Sequence, residues 1–253
     1  MASTRVLAER PSRVQLLVTC LVDHFRPQTA DAVVTLLERE GLAVDVPDGQ
    51  TCCGQPAFNA GARPDATAMA RHTVGVLGRS DAPVVVPSGS CADMLIHHTP
   101  LLLGNDPEWG PRARALAART FELTEFLVDV LGVSAPVTGP GTLTYHACCH
   151  GLRGLGIDTQ PRQLLAGAGA RLVPLPEADS CCGFGGLFAV KLADVSGAML
   201  ARKCRQIATT GADTVVVTDV SCAMHMQGGL DRAGSTARVR HIAEVLAPGD
   251  QVS

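Results

Sequence analysis

Cysteine is the residue type whose number and spacing point most directly to chemistry in this chain. Ten of the 253 residues are cysteine, and eight of them fall into two sets of four, each built around an adjacent pair. The sets are Cys20, Cys52, Cys53 and Cys91, then Cys149, Cys181, Cys182 and Cys222. Thiolates bind soft metals and take part in redox exchange, so the sequence predicts metal or redox chemistry.

The two cysteine sets are copies of one pattern. In each set 31 residues separate the first cysteine from the adjacent pair, between positions 20 and 52 and between 149 and 181, and a glycine follows the pair. Three cysteines repeat at an offset of 129 residues and the fourth at 131. Pro47 and Pro176 keep the offset of 129, and three valines precede the last cysteine in each copy. This repeat predicts a duplicated unit that builds the same kind of site twice.

Four thiolates per copy suit either an iron–sulfur cluster or structural zinc. Zinc sites typically use tight Cys-x-x-Cys pairs, whereas here the outer cysteines are single and lie more than thirty residues from the central pair. The spacing favours an iron–sulfur cluster. Two alternatives stay open: a zinc-stabilised binding scaffold, and a thiol–disulfide enzyme, although the sequence lacks the resolving Cys-x-x-Cys pair that such an enzyme needs.

Composition narrows the class of protein. A hydrophobic content of 46% predicts a buried globular core. The net charge of -3, without a run of five like charges, predicts no binding to nucleic acid. Residues 1–13 are polar and no later apolar run reaches membrane-spanning length, so we expect neither a signal peptide nor a transmembrane segment. These features predict a cytoplasmic protein with reduced cysteines.

Strand and cysteine positions predict where the sites lie. Val14–Thr19 and Leu143–Tyr145 are β-rich runs just before the first cysteine of each set, and the valine runs at 84–86 and 215–217 precede the last. We expect Cys91 and Cys222 to open helices. The predicted fold is α/β, with two pseudo-repeated halves, each a small parallel sheet flanked by helices with a cysteine site at the strand ends.

Helical periodicity completes the predicted organisation. Helices are predicted over Thr29–Glu40, Gln160–Ala168, Arg112–Leu131 and Arg238–Leu246. Residues 132–141 are rich in Gly and Pro and lack periodicity, which indicates a boundary. The predicted domains are residues 1–135, the first cysteine-rich repeat with a connecting helix, and residues 136–253, the second repeat.

Three longer motifs carry a family resemblance. Both repeats resemble the cysteine-rich CCG domain found in heterodisulfide reductase and in the iron–sulfur subunits of glycolate- and lactate-oxidising systems. The segments YHACCHGLR (145–153), CCGFGG (181–186) and VRHIAE (239–244) more closely resemble the lactate utilization protein A family. The resemblance covers nearly the whole chain. It differs from the broader CCG pattern in one respect, because Met94 and His225 replace the cysteine that ends each repeat in Cys-x-x-Cys.

The resemblance implies an iron–sulfur subunit that passes electrons during oxidation of a 2-hydroxy acid, L-lactate to pyruvate. It implies up to two clusters, expected to be [4Fe–4S], held by the eight repeated cysteines. Companion iron–sulfur and flavin-type subunits would perform the oxidation itself, since this chain carries no flavin or nicotinamide fingerprint. A role in thiol–disulfide redox chemistry, as in heterodisulfide reductase, is the alternative within the same resemblance.

Five further residues near the repeats are candidates for lesser roles. Cys148 has no counterpart in the first copy and is either a spectator or an alternate ligand, whereas Cys204 lies in a helical segment and is expected to be structural. His225, three residues after Cys222, is a candidate imidazole ligand. His146 and His150 flank Cys149 and are candidates for donating hydrogen bonds to cluster sulfurs.

Overall fold

In the part of the chain that the structure describes, short runs of β-branched and apolar residues form eight strands in two sheets of four. The computed structural model describes residues 7, 9–134, 141–167, 169 and 171–247. The strands are β1 (Arg13–Leu16), β2 (Ala43–Asp45), β3 (Val84–Val86), β4 (Thr120–Glu122), β5 (Thr142–Tyr145), β6 (Arg171–Leu172), β7 (Thr214–Val217) and β8 (Arg238–His241). All strand pairs are parallel. The predicted fold class, two repeated halves with parallel sheets and flanking helices, is confirmed.

Helices connect and flank the strands. They are α1 (Cys20–Phe25), α2 (Pro27–Arg39), α3 (Gln55–Asn59), α4 (Arg63–Leu77), α5 (Gly89–Asp93), α6 (Thr99–Leu103), α7 (Trp109–Ala118), α8 (Leu123–Glu125), α9 (Thr159–Gly167), α10 (Leu187–Lys191), α11 (Ala193–Thr210), α12 (Val220–Arg232) and α13 (Ile242–Leu246). π-Helical turns span Met94–His98, Phe126–Val130 and His150–Gly154. None of the helices in the described ranges combines the length and apolar character needed to cross a membrane.

Both sheets share one strand order, β2-β1-β3-β4 in the first half and β6-β5-β7-β8 in the second. The register repeats too, since Leu16 pairs with Val85 in the first sheet and Tyr145 with Val216 in the second. Strand β2 lies on one side of β1 and β3 on the other, so the connection after β1 and the connection into β3 run in opposite directions across the sheet. In open parallel sheets, ligands bind beyond the carboxyl ends of the strands at this switch point. The order therefore locates a crevice after β1 and β3, and another after β5 and β7.

The two halves share a hydrophobic core. Leu16, Phe121 and Phe126 from the first half pack in one cluster with Tyr145 and Val216 from the second. Helix α2 packs against α13, and α8 packs against α9, so helices of the two halves pack directly against each other. This shared burial fixes the two sheets relative to each other. The predicted domain boundary between residues 135 and 136 lies outside the described residues and stays a prediction.

Two of the predicted helices are wrong over part of their length, because each includes a strand. Arg112–Leu131 contains α7, then strand β4, then α8 with a π-helical turn, and Arg238–Leu246 contains strand β8 before α13. Each strand is only three or four residues long and runs directly into a capped helix. Glu122 forms a capping box with Glu125, and Nδ1 of His241 accepts from the backbone N–H of Ala243 at 3.2 Å. A strand this short leaves too few alternations to interrupt the helical period that follows it.

Candidate metal centre

The outer cysteines of each set stand where strands end and helices begin. Cys20 opens α1 just beyond β1, and Cys91 is the third residue of α5 beyond β3. Cys149 follows β5, and Cys222 is the third residue of α12 beyond β7. The prediction that Cys91 and Cys222 lie in the first turn of helices is confirmed. The positive end of a helix dipole favours a thiolate there.

The glycine after each cysteine pair has a conformation that other residues avoid. Gly54 has φ 89° and Gly183 has φ 97°. This turn lets the backbone N–H of Gly183 donate to Sγ of Cys181 at 3.3 Å. A Cβ built at Gly183 would lie 2.7 Å from the carbonyl oxygen of Ser196, so space as well as φ requires glycine. The CCG motif is thus a turn that aims a backbone N–H at a sulfur.

Pairs of sulfurs in both halves are in contact without being bonded. The Sγ atoms of Cys53 and Cys91 are 3.4 Å apart, and those of Cys182 and Cys222 are also 3.4 Å apart. A disulfide needs about 2.05 Å. All ten cysteines are free thiols. Cysteines that lie about forty positions apart in the sequence therefore bring reduced sulfurs into contact. Such contact is required of two ligands that bind one metal centre.

Hydrogen bonds between sulfurs link the rest of each set. Bonds from Cys20 and Cys53 lower the pKa of Cys52 to about 2, and the same bonds raise the pKa of both donors above the ordinary value. In the second half, the bonds from Cys149 and Cys182 lower the pKa of Cys181 to about 2. Each set thus favours one thiolate surrounded by thiols. Further deprotonation brings negative charges together and requires a cation, which a metal centre supplies.

Both cysteine sets border one cavity. Its volume is about 190 Å³, and its walls include all eight repeated cysteines together with Cys148. A single water needs only roughly 10–15 Å³ of such space. The cavity therefore has room for polyatomic inorganic groups rather than one ion. Thiol donors, free sulfurs in contact and this volume together fit iron–sulfur clusters.

Cys148 and Cys204 have different surroundings. The thiol of Cys148 is buried at the cavity and hydrogen-bonds Cys222, which raises the pKa of Cys222. It is a fifth cysteine at the second site. Cys204 lies in α11 away from that cavity, where it takes the place that buried Val74 has in α4. A packing role accounts for Cys204.

The caps of the two cysteine-bearing helices bond to each other across the halves. Ser88 caps α5 by accepting from the backbone N–H of Cys91 at 3.3 Å, and Asp219 caps α12 by accepting from Ser221 at 3.0 Å. The Ser88 hydroxyl also donates to Oδ2 of Asp219 at 2.9 Å, and the backbone N–H of Ser90 donates to the same oxygen at 3.1 Å. Because Ser88 and Asp219 are both buried, this junction holds the two sets in a fixed relation.

His150 borders the cavity from the second half but bonds to the first. Its Nδ1 lies 2.7 Å from Oδ2 of Asp93, and its Nε2 lies 3.1 Å from Nε2 of Gln55. The hydrogen bond to Asp93 raises the pKa of His150. Both ring nitrogens therefore have partners other than sulfur. Gly89 and Gly151 allow the close approach here, since a Cβ on Gly89 would lie 2.9 Å from the backbone nitrogen of Gly151.

Two buried basic side chains lie beside the second set. His146 is 0% exposed, and neither ring nitrogen has a hydrogen-bond partner within the described residues. Burial, and then the charge of Lys203, lower the pKa of His146 to about 4. Lys203 is also buried and donates to the carbonyl of Glu177 at 2.7 Å. Sequence reasoning missed Lys203, because a lysine between Arg202 and Cys204 in a helix is typical of a solvated position.

His225, the candidate imidazole ligand, lies beside the CCG turn. Its Nε2 is 3.4 Å from the hydroxyl of Ser196, and its ring meets that of Phe184 edge-on at 5.7 Å between centroids. Burial lowers the pKa of His225. These neighbours give the ring a packing position next to Gly183.

Both halves of the chain match one known protein domain. The cysteine-rich CCG domain matches residues 14–96 and again residues 143–227. Two proteins named lactate utilization protein A, from an Exiguobacterium species and from Geobacillus thermodenitrificans, are each 46% identical, over 93% and 92% of this chain and 97% and 98% of their own lengths. Among solved structures, a hypothetical protein from Helicobacter pylori has a TM-score of 0.66 at 11% identity, over 96% of this chain and 50% of its own, which shows a shared fold.

The duplicated fold and the thiol-lined cavity define a two-repeat CCG-domain protein. The alignments with the two named relatives cover more than nine tenths of this chain and of each relative. The chain therefore belongs to the lactate utilization protein A family.

Proposed function

We propose that the chain binds up to two iron–sulfur clusters, of the [4Fe–4S] type, through its two cysteine sets. The ligands would be Cys20, Cys52, Cys53 and Cys91 in the first half and Cys149, Cys181, Cys182 and Cys222 in the second. The observation that carries this proposal is the convergence of all eight thiols on one cavity at the carboxyl ends of two parallel sheets. When bound, such clusters supply one-electron acceptors and donors.

The shared cavity supports electron transfer between the halves. Each set borders the same cavity, and the bonds of Ser88 and Asp219 keep the sets together. Oxidation of L-lactate to pyruvate releases two electrons and two protons, which matches two one-electron centres on one chain. The relatives named for lactate utilization support this substrate. The proposed function is thus an electron-transfer subunit of a cytoplasmic L-lactate oxidation system.

Companion subunits would carry the hydride or proton chemistry. Iron–sulfur centres take single electrons, whereas oxidation of a hydroxyl-bearing carbon removes a pair, so a flavin-type partner is the expected intermediary. His150 borders the cavity, and its ring bonds to buried Asp93 across the halves. They serve to hold the halves rather than to bind a substrate carboxylate.

Metal analysis tests the cluster assignment. Protein purified without oxygen from iron-replete cells should contain iron and acid-labile sulfide in equal amounts, up to eight iron atoms per chain for two [4Fe–4S] clusters. It should be brown. Colourless protein with stoichiometric zinc would overturn the assignment in favour of a zinc-stabilised scaffold.

Turnover assays test the assignment as an electron carrier. The isolated chain should not oxidise L-lactate with an artificial electron acceptor, while the complex with its companion subunits should. In that complex, lactate should bleach the visible absorbance of the clusters of this chain. Sustained turnover by the pure single chain would refute the carrier role.

A further inference from the structure

His146 is buried without a hydrogen-bond partner, which is costly for an imidazole ring. It is 0% exposed, and both ring nitrogens lack a partner in the described part of the chain. A buried polar group without a partner destabilises the folded protein, because it has lost its hydrogen bonds to water. An orphaned group of this kind points to a ligand that completes it.

The ring lies against two of the sulfurs. A ring nitrogen of His146 and the Sγ atoms of Cys182 and Cys222 all lie within 4.8 Å of one another. The two sulfurs themselves are 3.4 Å apart. One nitrogen and two sulfurs at this spacing can serve as ligands of one metal centre, given metal bonds of about 2.0–2.3 Å. The carbonyl of Ala178 lies near the ring without forming a hydrogen bond to it, and it can accept from the second nitrogen once the first binds the metal.

The first half places a hydrocarbon where the second places this ring. Leu17 donates its backbone N–H to Val85 at 3.0 Å, and His146 donates its own to Val216 at 3.0 Å, so the two residues occupy equivalent places beyond β1 and β5. Leu17 is buried in the apolar core of its half. The repeat therefore excludes a general structural need for histidine at this place.

We propose that His146 is a nitrogen ligand of the metal centre in the second half, together with Cys182 and Cys222, so that the two centres of the chain are chemically inequivalent. The identity of the metal as iron rests on the proposed function. An imidazole ligand brings no negative charge, so the second centre is easier to reduce than a centre held by thiolates alone. Buried Lys203, whose equivalent in α4 is the uncharged Thr73, acts in the same direction.

Pulsed electron paramagnetic resonance of the reduced, iron-loaded full chain tests this proposal. The expected result is a strong ¹⁴N hyperfine coupling that is absent from His146→Leu, which copies the residue of the first half. His225→Leu is the matched control and should keep the coupling. His146→Cys should keep the iron, lose the coupling and shift one of two midpoint potentials to a more negative value, because a thiolate replaces a neutral ring. The other potential should not move.

Two outcomes of the resonance experiment would overturn the proposal. Only weak ¹⁴N coupling in the wild type would make His146 a hydrogen-bond donor to sulfur, and coupling retained in His146→Leu would assign the nitrogen to another residue. Iron and sulfide analysis of the same samples keeps the proposed function separate. If the chain holds zinc instead, the iron–sulfur assignment fails, and zinc X-ray absorption then decides on His146: imidazole scattering lost in His146→Leu supports the ligand, and unchanged scattering refutes it.

Discussion

Replacing the glycine of a CCG turn with alanine should destabilise the protein in proportion to the space at that turn. Gly183 combines φ 97° with a Cβ position 2.7 Å from the carbonyl oxygen of Ser196. A left-handed conformation costs a residue other than glycine roughly 1–2 kcal/mol. The backbone of α11 must also move, and overpacking of this kind costs roughly 1–3 kcal/mol more. Gly183→Ala should therefore lower the free energy of unfolding by about 3 kcal/mol.

Two other glycines give matched controls for this prediction. Gly54 has φ 89°, but its Cβ would meet the side chain of Met69 at 3.2 Å, so Gly54→Ala should cost about 2 kcal/mol. Gly211 has φ 62° and nothing within 4 Å, so Gly211→Ala should cost only the conformational term, about 1 kcal/mol. Denaturant unfolding of the reduced, metal-free proteins gives the three values. Equal losses for Gly183→Ala and Gly211→Ala would refute the role of close packing at the CCG turn.

Buried contacts away from the CCG turns should also affect stability in measurable ways. Burial raises the pKa of Glu122 to about 7, so the folded protein holds a proton that the unfolded chain releases near pH 4.5. The free energy of unfolding should therefore fall by about 3 kcal/mol as the pH rises from 4.5 to 7. Glu122→Gln should remove this fall in unfolding measured from pH 4 to 9. Ser88→Ala and Asp219→Asn should show a coupling of roughly 1–3 kcal/mol in a double-mutant cycle, and additive effects would contradict the shared cap. Cys204→Ala should cost about 1 kcal/mol in unfolding and retain all iron, because Cys204 only packs in α11.

Local patterns in the sequence were enough to predict most of the fold. The valine runs at 84–86 and 215–217 are completely buried strands, and the periodic segment from Thr29 forms α2. The four edge strands β2, β4, β6 and β8 escaped prediction, because each is two to four residues long and is fixed by pairing with a strand distant in the sequence rather than by local propensity. Pairing across the sheet is a property of the fold.

The repeat predicted which cysteines form the site, but not the residues and packing around them. The spacing of the cysteines predicts two sets, and the structure brings all eight to one cavity. It could not predict that both sets face the same cavity, since that depends on the packing of α2 on α13 and α8 on α9. Nor could it predict the burial of Lys203, because the repeat offset in α11 is 130, as the contacts of Gly54 with Met69 and Gly183 with Met199 show. At that offset the lysine corresponds to Thr73, which carries no charge, so the repeat gives no indication of a buried cation.

The most direct test of the central claim is the iron and acid-labile sulfide content of matched cysteine variants, purified without oxygen. We expect Cys53→Ala and Cys182→Ala each to lose about half of the wild-type iron, since each removes a ligand from one of the two sets. Cys204→Ala, whose sulfur lies away from the cavity, should keep it all. Full iron in both Cys53→Ala and Cys182→Ala, or a loss in Cys204→Ala as large as theirs, would contradict the assignment of the eight cysteines as cluster ligands.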